Sequence, residues 1–405
     1  MNKIINDPVY GFITIPNTFI FQLIEHPFFQ RLRRIKQLGL SEYVYPGATH
    51  SRFHHALGAM HLMINAVKTL QQKGVKITDD EAEALYAGIL LHDIGHGPFS
   101  HTLEHTLVKN VSHEYISLLL MQELNKSFDS KLDLTLQIFQ NKYKKKFLYQ
   151  LISGQLDMDR LDYLGRDSFF TGVTEGVVGS DRIINMLNVV NDELVVEEKG
   201  IYSIEKFIIA RRLMYWQVYL HKTVVASDIL LTNIIKRAAI LVKNGEPLFA
   251  TPALLWFLKN EVTKKTFEIN GEALLNFTLL DDTDIYSAIK TWQQSSDKVL
   301  AMLSQNLVLR KLPKINVQNK PFEKKVIAEK QKEVCGIFKI KANEAKYFAT
   351  EHLIKNDAYK DESTRINILK KDGKVIDVTD ASDNYNLKAL KKTVKKYYLS
   401  YYRVK

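Results

Sequence analysis

The segment GILLHDIGHGPFSH, residues 88–101, leads a helix into a group of chemistry-bearing side chains. Leu85, Ile89 and Leu90 sit at helical spacing, and Thr78-Asp79-Asp80 ahead of Glu81 offers cap-type oxygens to the first free amides. A helix is therefore predicted from about Glu81 to Asp93. Gly95, Gly97 and Pro98 then break the pattern and expose the side chains around them. At the break stand His92 and Asp93, a neutral nitrogen beside an anionic oxygen, a pairing suited to Mn, Fe, Zn or Mg. An isolated His-Asp pair is ordinarily a hydrogen-bonded surface dipeptide, so further ligands are needed before it becomes a site.

Outward from that segment, histidines crowd together: His50, His54, His55, His61, His92, His96, His101, His105 and His113 fall in one stretch. Upstream, SRFHHALGAMH places His54 and His55 on another helix, whose apolar face reads Leu57, Met60, Ile64 and Val67. Downstream, GQLDMDRLDYLGRD puts Asp157, Asp159, Asp162 and Asp167 on a third. Ligands converging from several helices are how helical folds build metal sites.

The rest of the chain frames these helices. KIINDPVYGFITIP alternates about a Pro-Val-Tyr-Gly turn and predicts a small hairpin, followed by helical spacing at Phe21, Ile24 and Phe28. ELVVEEKGIYSI predicts a second hairpin turning at Lys199-Gly200, and residues 204–235 are apolar on more than one face, as in a buried central helix. Near residue 310 the composition turns polar and lysine-rich. CGIFKIKA and RINILKKDGKVIDVT then suggest strands with a turn at Asp372-Gly373, and KALKKTVKKYYLSYYRVK a terminal helix or strand. The expected architecture is mainly α, with a helical catalytic domain over 1–310, short N-terminal and internal hairpins, and a smaller α+β lobe over 311–405.

With 46% hydrophobic and 25% charged residues, 18 Gly and 9 Pro, the 405-residue chain is neither collagen-like nor disordered. Cys335 stands alone, which excludes an intramolecular disulfide framework and a cysteine zinc cluster. No apolar run approaches the ~20 residues of a membrane helix, and no signal peptide is evident, so a cytoplasmic protein without a membrane partner is expected. An excess of 56 Lys and Arg over 45 Asp and Glu, +11, points to anionic partners.

The order H…HD…D, with its surrounding glycines and histidines, resembles the HD-domain phosphohydrolase superfamily. The resemblance matches His55, His92, Asp93 and Asp159 to the metal ligands. His54 competes for the first position, and the register RFxHxLG favours His55. The stretches QRLRRIKQLGLSEYVYPGATHSRFHHALGAMH, LLHDIGHGPFSH, SHEY and DMDRLDYLGRDSFFTG are similar to the deoxynucleoside triphosphate triphosphohydrolases of that superfamily, from about residue 5 to 235 and more weakly in the C-terminal lobe. The sterile alpha motif of the animal enzyme is not expected.

That resemblance implies cleavage of a dNTP by water to a deoxynucleoside and tripolyphosphate, assisted by a divalent metal, Fe, Mn, Mg or Zn. It implies His101 as general acid and His96 and His113 as donors to the reacting phosphate. Arg52, Arg160 and Arg211 would hold the polyphosphate, Arg160 replacing a lysine of an animal member. Gln37 and Asp167 would read the sugar 3′ hydroxyl, and Leu38, Tyr163 and Tyr219 would pack where a 2′ hydroxyl projects, although Tyr219 also suits plain core packing. A nucleotide activator between subunits of a homo-oligomer, a tetramer in relatives, would meet Glu25, Gln30, Arg33, His221 and Lys222. Glu25 replaces an aspartate there and Glu197 an arginine. His50, His61 and His105 receive no role.

Two alternatives remain. One is another HD phosphohydrolase, acting on a nucleoside monophosphate, cyclic nucleotide or alarmone. The other is a nucleic-acid-binding protein using Lys142 to Lys146, Lys324, Lys325 and Lys391 to Lys396, with Tyr397, Tyr398, Tyr401 and Tyr402 for stacking. Lysine runs are ordinarily solvated faces.

Overall fold

Asp7 sets the first turn: its Oδ1 accepts the amides of Val9 and Tyr10 at 2.9 and 3.0 Å, and Gly11 follows at φ 75°. Strands β1 (Ile4–Asp7) and β2 (Gly11–Thr14) pair antiparallel around it, the hairpin expected there. The computed structural model describes residues 3–269, 271–356, 365–384 and 393–403.

Three helices carry the candidate site. In the first, Arg52–Gln72, Ser51 and His54 cap each other's backbone reciprocally. The second, Asp79–Leu91, begins at a Thr78/Glu81 capping box and ends at Leu91, so His92 and Asp93 lie just past its last turn. The third, Met158–Thr171, starts at Asp157, whose Oδ1 accepts the Arg160 amide at 2.7 Å, and stops at Gly172 with φ 72°. Gly58 lets the first and third approach: a Cβ there would lie 2.0 Å from Asp162 Oδ1 and 2.1 Å from Arg166 Nη2.

The second hairpin turns elsewhere than expected. β3 (Leu187–Val190) and β4 (Glu193–Glu197) join through Asn191 and Asp192, both left-handed at φ 51° and 64°, which short polar side chains tolerate. Lys199 and Gly200 instead form a single helical turn leading into the helix Ile201–Met214. Gly200 is there for space, since a Cβ would meet Val196 Cγ1 at 2.6 Å. The predicted continuous central helix is also divided. Tyr215–Tyr219 widen into a π-type turn, and a new helix, Lys222–Lys243, starts where His221 Nδ1 accepts the Thr223 amide at 3.2 Å.

In the C-terminal part, β5 (Lys314–Gln318) and β6 (Thr350–Asn356) flank β9 (Val394–Tyr401) in an antiparallel sheet ordered β5-β9-β6. β7 (Asn367–Leu369) and β8 (Val375–Asp377) form the hairpin expected around Asp372-Gly373. Cys335–Phe338 are not a strand: they end the helix Lys324–Phe338, closed by Lys339 in the left-handed region at φ 51°. β7 also pairs in parallel with β4, Val195 opposite Asn367, so the tail extends the sheet of the body. Among the described residues, most buried apolar side chains join one cluster that runs from Ile13 to Tyr401, and Val225, Ala226, Ile229, Ile315 and Tyr398 form a second, smaller one. Among the described residues no helix is long and apolar enough to cross a membrane.

Of the lysine runs, Lys145 is paired with Glu81 at 2.6 Å and Lys396 lies 3.7 Å over the ring of Trp216. Lys391 and Lys392 lie outside the described residues.

Candidate active site

His55, from the first turn of its helix, is fully buried and points Nε2 at Asp159 Oδ1, 3.2 Å away, with Asp93 Oδ2 at 3.7 Å. His92 Nε2 lies 3.4 Å from His55 Nε2, 3.5 Å from Asp159 Oδ1 and 3.3 Å from Asp93 Oδ1. Ligand atoms of His55, His92 and Asp159 lie within 4.8 Å of one another. His54 is elsewhere, with Nδ1 2.9 Å from Ser51 Oγ at the helix cap.

The opposite nitrogen of each imidazole has its own partner. His55 Nδ1 meets Asp162 Oδ2 at 2.7 Å, and His92 Nδ1 meets the Ile89 carbonyl at 2.6 Å. Such outer contacts set the tautomer that presents Nε2 as an acceptor. Asp162 is in turn gripped by Arg166 Nε at 2.9 Å, and Arg166 Nη1 reaches Asp7 Oδ2 at 2.7 Å, tying the N-terminal hairpin to the site.

The local field favours a cation. Burial would lower the His55 imidazole, but its hydrogen bonds to Asp159 and Asp162 push it up to about 10. Burial would raise Asp93, yet His92, His96 and Arg52 hold its carboxyl well below the usual carboxylate range. Two Nε2 atoms whose far nitrogens are satisfied, together with the carboxylates of Asp93 and Asp159, form a donor set that fits a divalent metal ion.

A second cluster adjoins the first through Asp93, whose Oδ1 is 3.3 Å from His96 Nε2. The His96 and His113 rings stack at 3.8 Å, and the His101 ring lies 5.0 and 5.4 Å from them. Glu104 serves two of the three: Oε2 is 3.0 Å from His101 Nδ1, while Oε1 is 2.8 Å from His113 Nδ1 and accepts the His113 amide. These partners hold the Glu104 carboxyl low against burial, and Glu104 lifts the His113 imidazole against burial. Burial, with Arg52 nearby, pushes His96 well below its ordinary value, keeping it neutral. His96 and His113 are largely enclosed, whereas the His101 side chain is 69% exposed.

Arg52 is buried beside both clusters, paired with Asp93 and donating Nε to Ser100 Oγ at 2.8 Å. Arg160 pairs with Asp157, and Arg211 Nη1 donates to Gln155 Oε1 at 2.8 Å. The Nε of both, and Gln37 Oε1, are buried without a hydrogen-bond partner. Asp167 accepts the Tyr219 hydroxyl at 2.7 Å and meets His50 Nε2 at 2.8 Å, while Tyr163 and Tyr219 contact edge-to-face at 6.3 Å. Leu38 packs half-buried on the core.

The residues matched to an activator site divide into two groups. Arg33 donates to Gln30 Oε1 at 2.7 Å and lies 3.6 Å over Phe53, with Glu25 exposed nearby in sequence. His221 caps its helix, and Lys222 is exposed. Among the described residues no hydrogen bond, ion pair or ring contact joins these groups.

Sequence reading missed Glu104, Arg166 with Asp7, Ser100, Gln155 and the His50–Asp167 contact. Only the i,i+3 spacing of His101 and Glu104 and the i,i+4 spacing of Asp162 and Arg166 hinted at them.

Residues 52–167 match the family model described as HD domain, and residues 178–243 the HD associated region. A solved phosphohydrolase from Bacteroides thetaiotaomicron VPI-5482 is similar over 100% of both chains at 52% identity, with a TM-score of 0.96. The uncharacterized protein YwfO of Bacillus subtilis is 34% identical over 76% of this chain and 71% of its own length. The human deoxynucleoside triphosphate triphosphohydrolase SAMHD1 is 29% identical over 58% of this chain; the match spans 44% of that protein.

Proposed function

The chain belongs to the HD-domain family, and from that premise we propose that it is a metal-dependent triphosphohydrolase that cleaves a dNTP and water to a deoxynucleoside and tripolyphosphate. The observation that carries this reading is the junction of two clusters: His55, His92 and Asp159, from two helices and the segment just past a third, adjoin Asp93, which also meets a histidine trio beside buried Arg52. Metal binding calls on the first cluster, and a proton donor and phosphate ligands on the second.

His55, His92, Asp93 and Asp159 would hold the ion, which when bound polarises the phosphoryl group and makes water a better nucleophile. Water attacks the α-phosphorus, its proton passing to solvent, and the bond to O5′ breaks. His101, exposed and braced at Nδ1 by Glu104, delivers the proton to the departing O5′. His96 and His113 donate to non-bridging oxygens as charge develops on them. Arg52, Arg160 and Arg211 hold the polyphosphate; the unpartnered Nε atoms of the last two supply donors that a ligand would satisfy. Tyr219, anchored to Asp167, and Tyr163 close the sugar side, where a 2′ hydroxyl would collide. A nucleotide activator would meet Glu25, Gln30, Arg33, His221 and Lys222 where copies assemble into a tetramer, which is compatible with the two groups making no contact within one chain.

Purified protein incubated with each dNTP, singly and mixed, with a divalent metal, should release deoxynucleoside and tripolyphosphate by mass. Release of dNMP and pyrophosphate, or of orthophosphate, refutes the bond assignment.

A further inference from the structure

One carboxylate from far along the chain holds two loops of the candidate site. Asp282 is buried at the start of the helix Asp282–Trp292. Its Oδ1 accepts the Phe99 amide at 2.7 Å and its Oδ2 the Lys36 amide at 2.9 Å. Phe99 ends the turn that starts past Leu91 and leads into His101, and Lys36 precedes Gln37 and Leu38. Arg31, also buried, holds the other end of that turn: Nη2 donates to the carbonyls of Ile94 and His96, both at 2.8 Å, and Nη1 to the Leu280 carbonyl at 2.9 Å. Leu280–Asp282 therefore anchors the histidine turn at both ends.

The turn needs outside support. Phe99 and Ser100 are both left-handed, at φ 53° and 49°, a conformation that non-glycine residues seldom adopt unless their surroundings impose it. Asp282 is also costly to keep buried. Burial pushes its carboxyl up to about 6, opposed by the two amides and by Lys36; Arg31 also faces it, and Asp281 lies beside it. A buried carboxylate is weak evidence for stability, so its use lies in what it holds.

Building on the dNTP reading, we propose that Asp282 is a positioning residue that sets the separation between the proton donor His101 and the nucleoside wall at Gln37 and Leu38. Asp282→Asn preserves shape but leaves one acceptor and aims an N–H at the other amide, releasing one loop. The test compares wild type and Asp282→Asn on two substrates. One is a dNTP, whose 5′ alkoxide needs a proton to leave; the other is bis(p-nitrophenyl) phosphate, whose phenolate does not. We expect kcat on the dNTP to fall roughly 30-fold or more, and on the aryl ester by less than about 3-fold, with bound metal unchanged. Equal losses on both substrates, or no loss on either, overturn the proposal. Should Asp282→Asn not fold, Asp282→Glu carries the same comparison, because the longer carboxylate keeps its charge while displacing both loops. Wild-type protein that cleaves the aryl ester but no dNTP refutes the preceding reading instead. The ratio is then taken between p-nitrophenyl and a poorer-leaving phenyl phosphodiester, with the same outcomes deciding.

Discussion

The two halves of the candidate site are built by different means. His55 and His92 are held from behind by Asp162 and the Ile89 carbonyl, and their helices cannot separate without breaking a packed core. In the histidine trio, His96 and His101 border a stretch with two left-handed residues, His113 opens the helix His113–Ser127, and Glu104 ties His101 to His113. A metal site needs ligands at invariant distances, which helices supply. Proton delivery needs a side chain that reaches solvent and substrate, which a supported turn supplies.

Breaking the helical half should have the largest effect. His92→Ala removes an inward ligand and should abolish turnover, at least about 10³-fold, with loss of bound metal by elemental analysis and retention of the helical circular dichroism. Undiminished metal content would contradict the assignment.

Glu104→Gln should weaken the turn-borne half alone. Activity should drop on the order of 10²-fold while metal is retained, because an amide cannot hold both imidazoles as the carboxylate does. The sign with pH follows from the shift: Glu104 is held low in the fold, so its contribution to stability is present above its unfolded value of about 4.3 and fades as pH falls below it. Acid unfolding curves of wild type and Glu104→Gln should therefore converge at low pH; a constant gap between them would count against the pairing.

Gly58→Ala probes the helix contact behind His55. Its Cβ would press on Asp162 and Arg166, and about 1–3 kcal/mol of stability should be lost in thermal or denaturant unfolding, with a smaller effect on kcat than either change above.

The same division explains what could be read from sequence. The caps at Thr78 and Glu81 and the helical spacing are local, so the helices were legible, whereas the H…HD…D order spans residues 55 to 159 and carried meaning only through its resemblance to a known family. The mainly helical fold and the two outer hairpin turns followed from turn chemistry and alternation. Contacts spanning the chain were not legible: Asp7 with Arg166 and Asp282 with Phe99 depend on packing that no spacing reports, and the His101–Glu104 spacing hinted at one contact of Glu104 but not at its second, to His113. Lys199-Gly200 misled because a glycine required by a crowded neighbour looks the same in sequence as one required by a turn. Asn191-Asp192, the true turn, lacked that glycine.

The parallel pairing of β4 with β7 has a consequence for biosynthesis. The β3–β4 hairpin can close once residue 197 has emerged from the ribosome, but the strand that covers its outer edge begins at residue 367. Until then the β4 edge presents unpaired amides and carbonyls to other nascent chains, so the interval between those residues on the ribosome is the period of greatest exposure to misassembly.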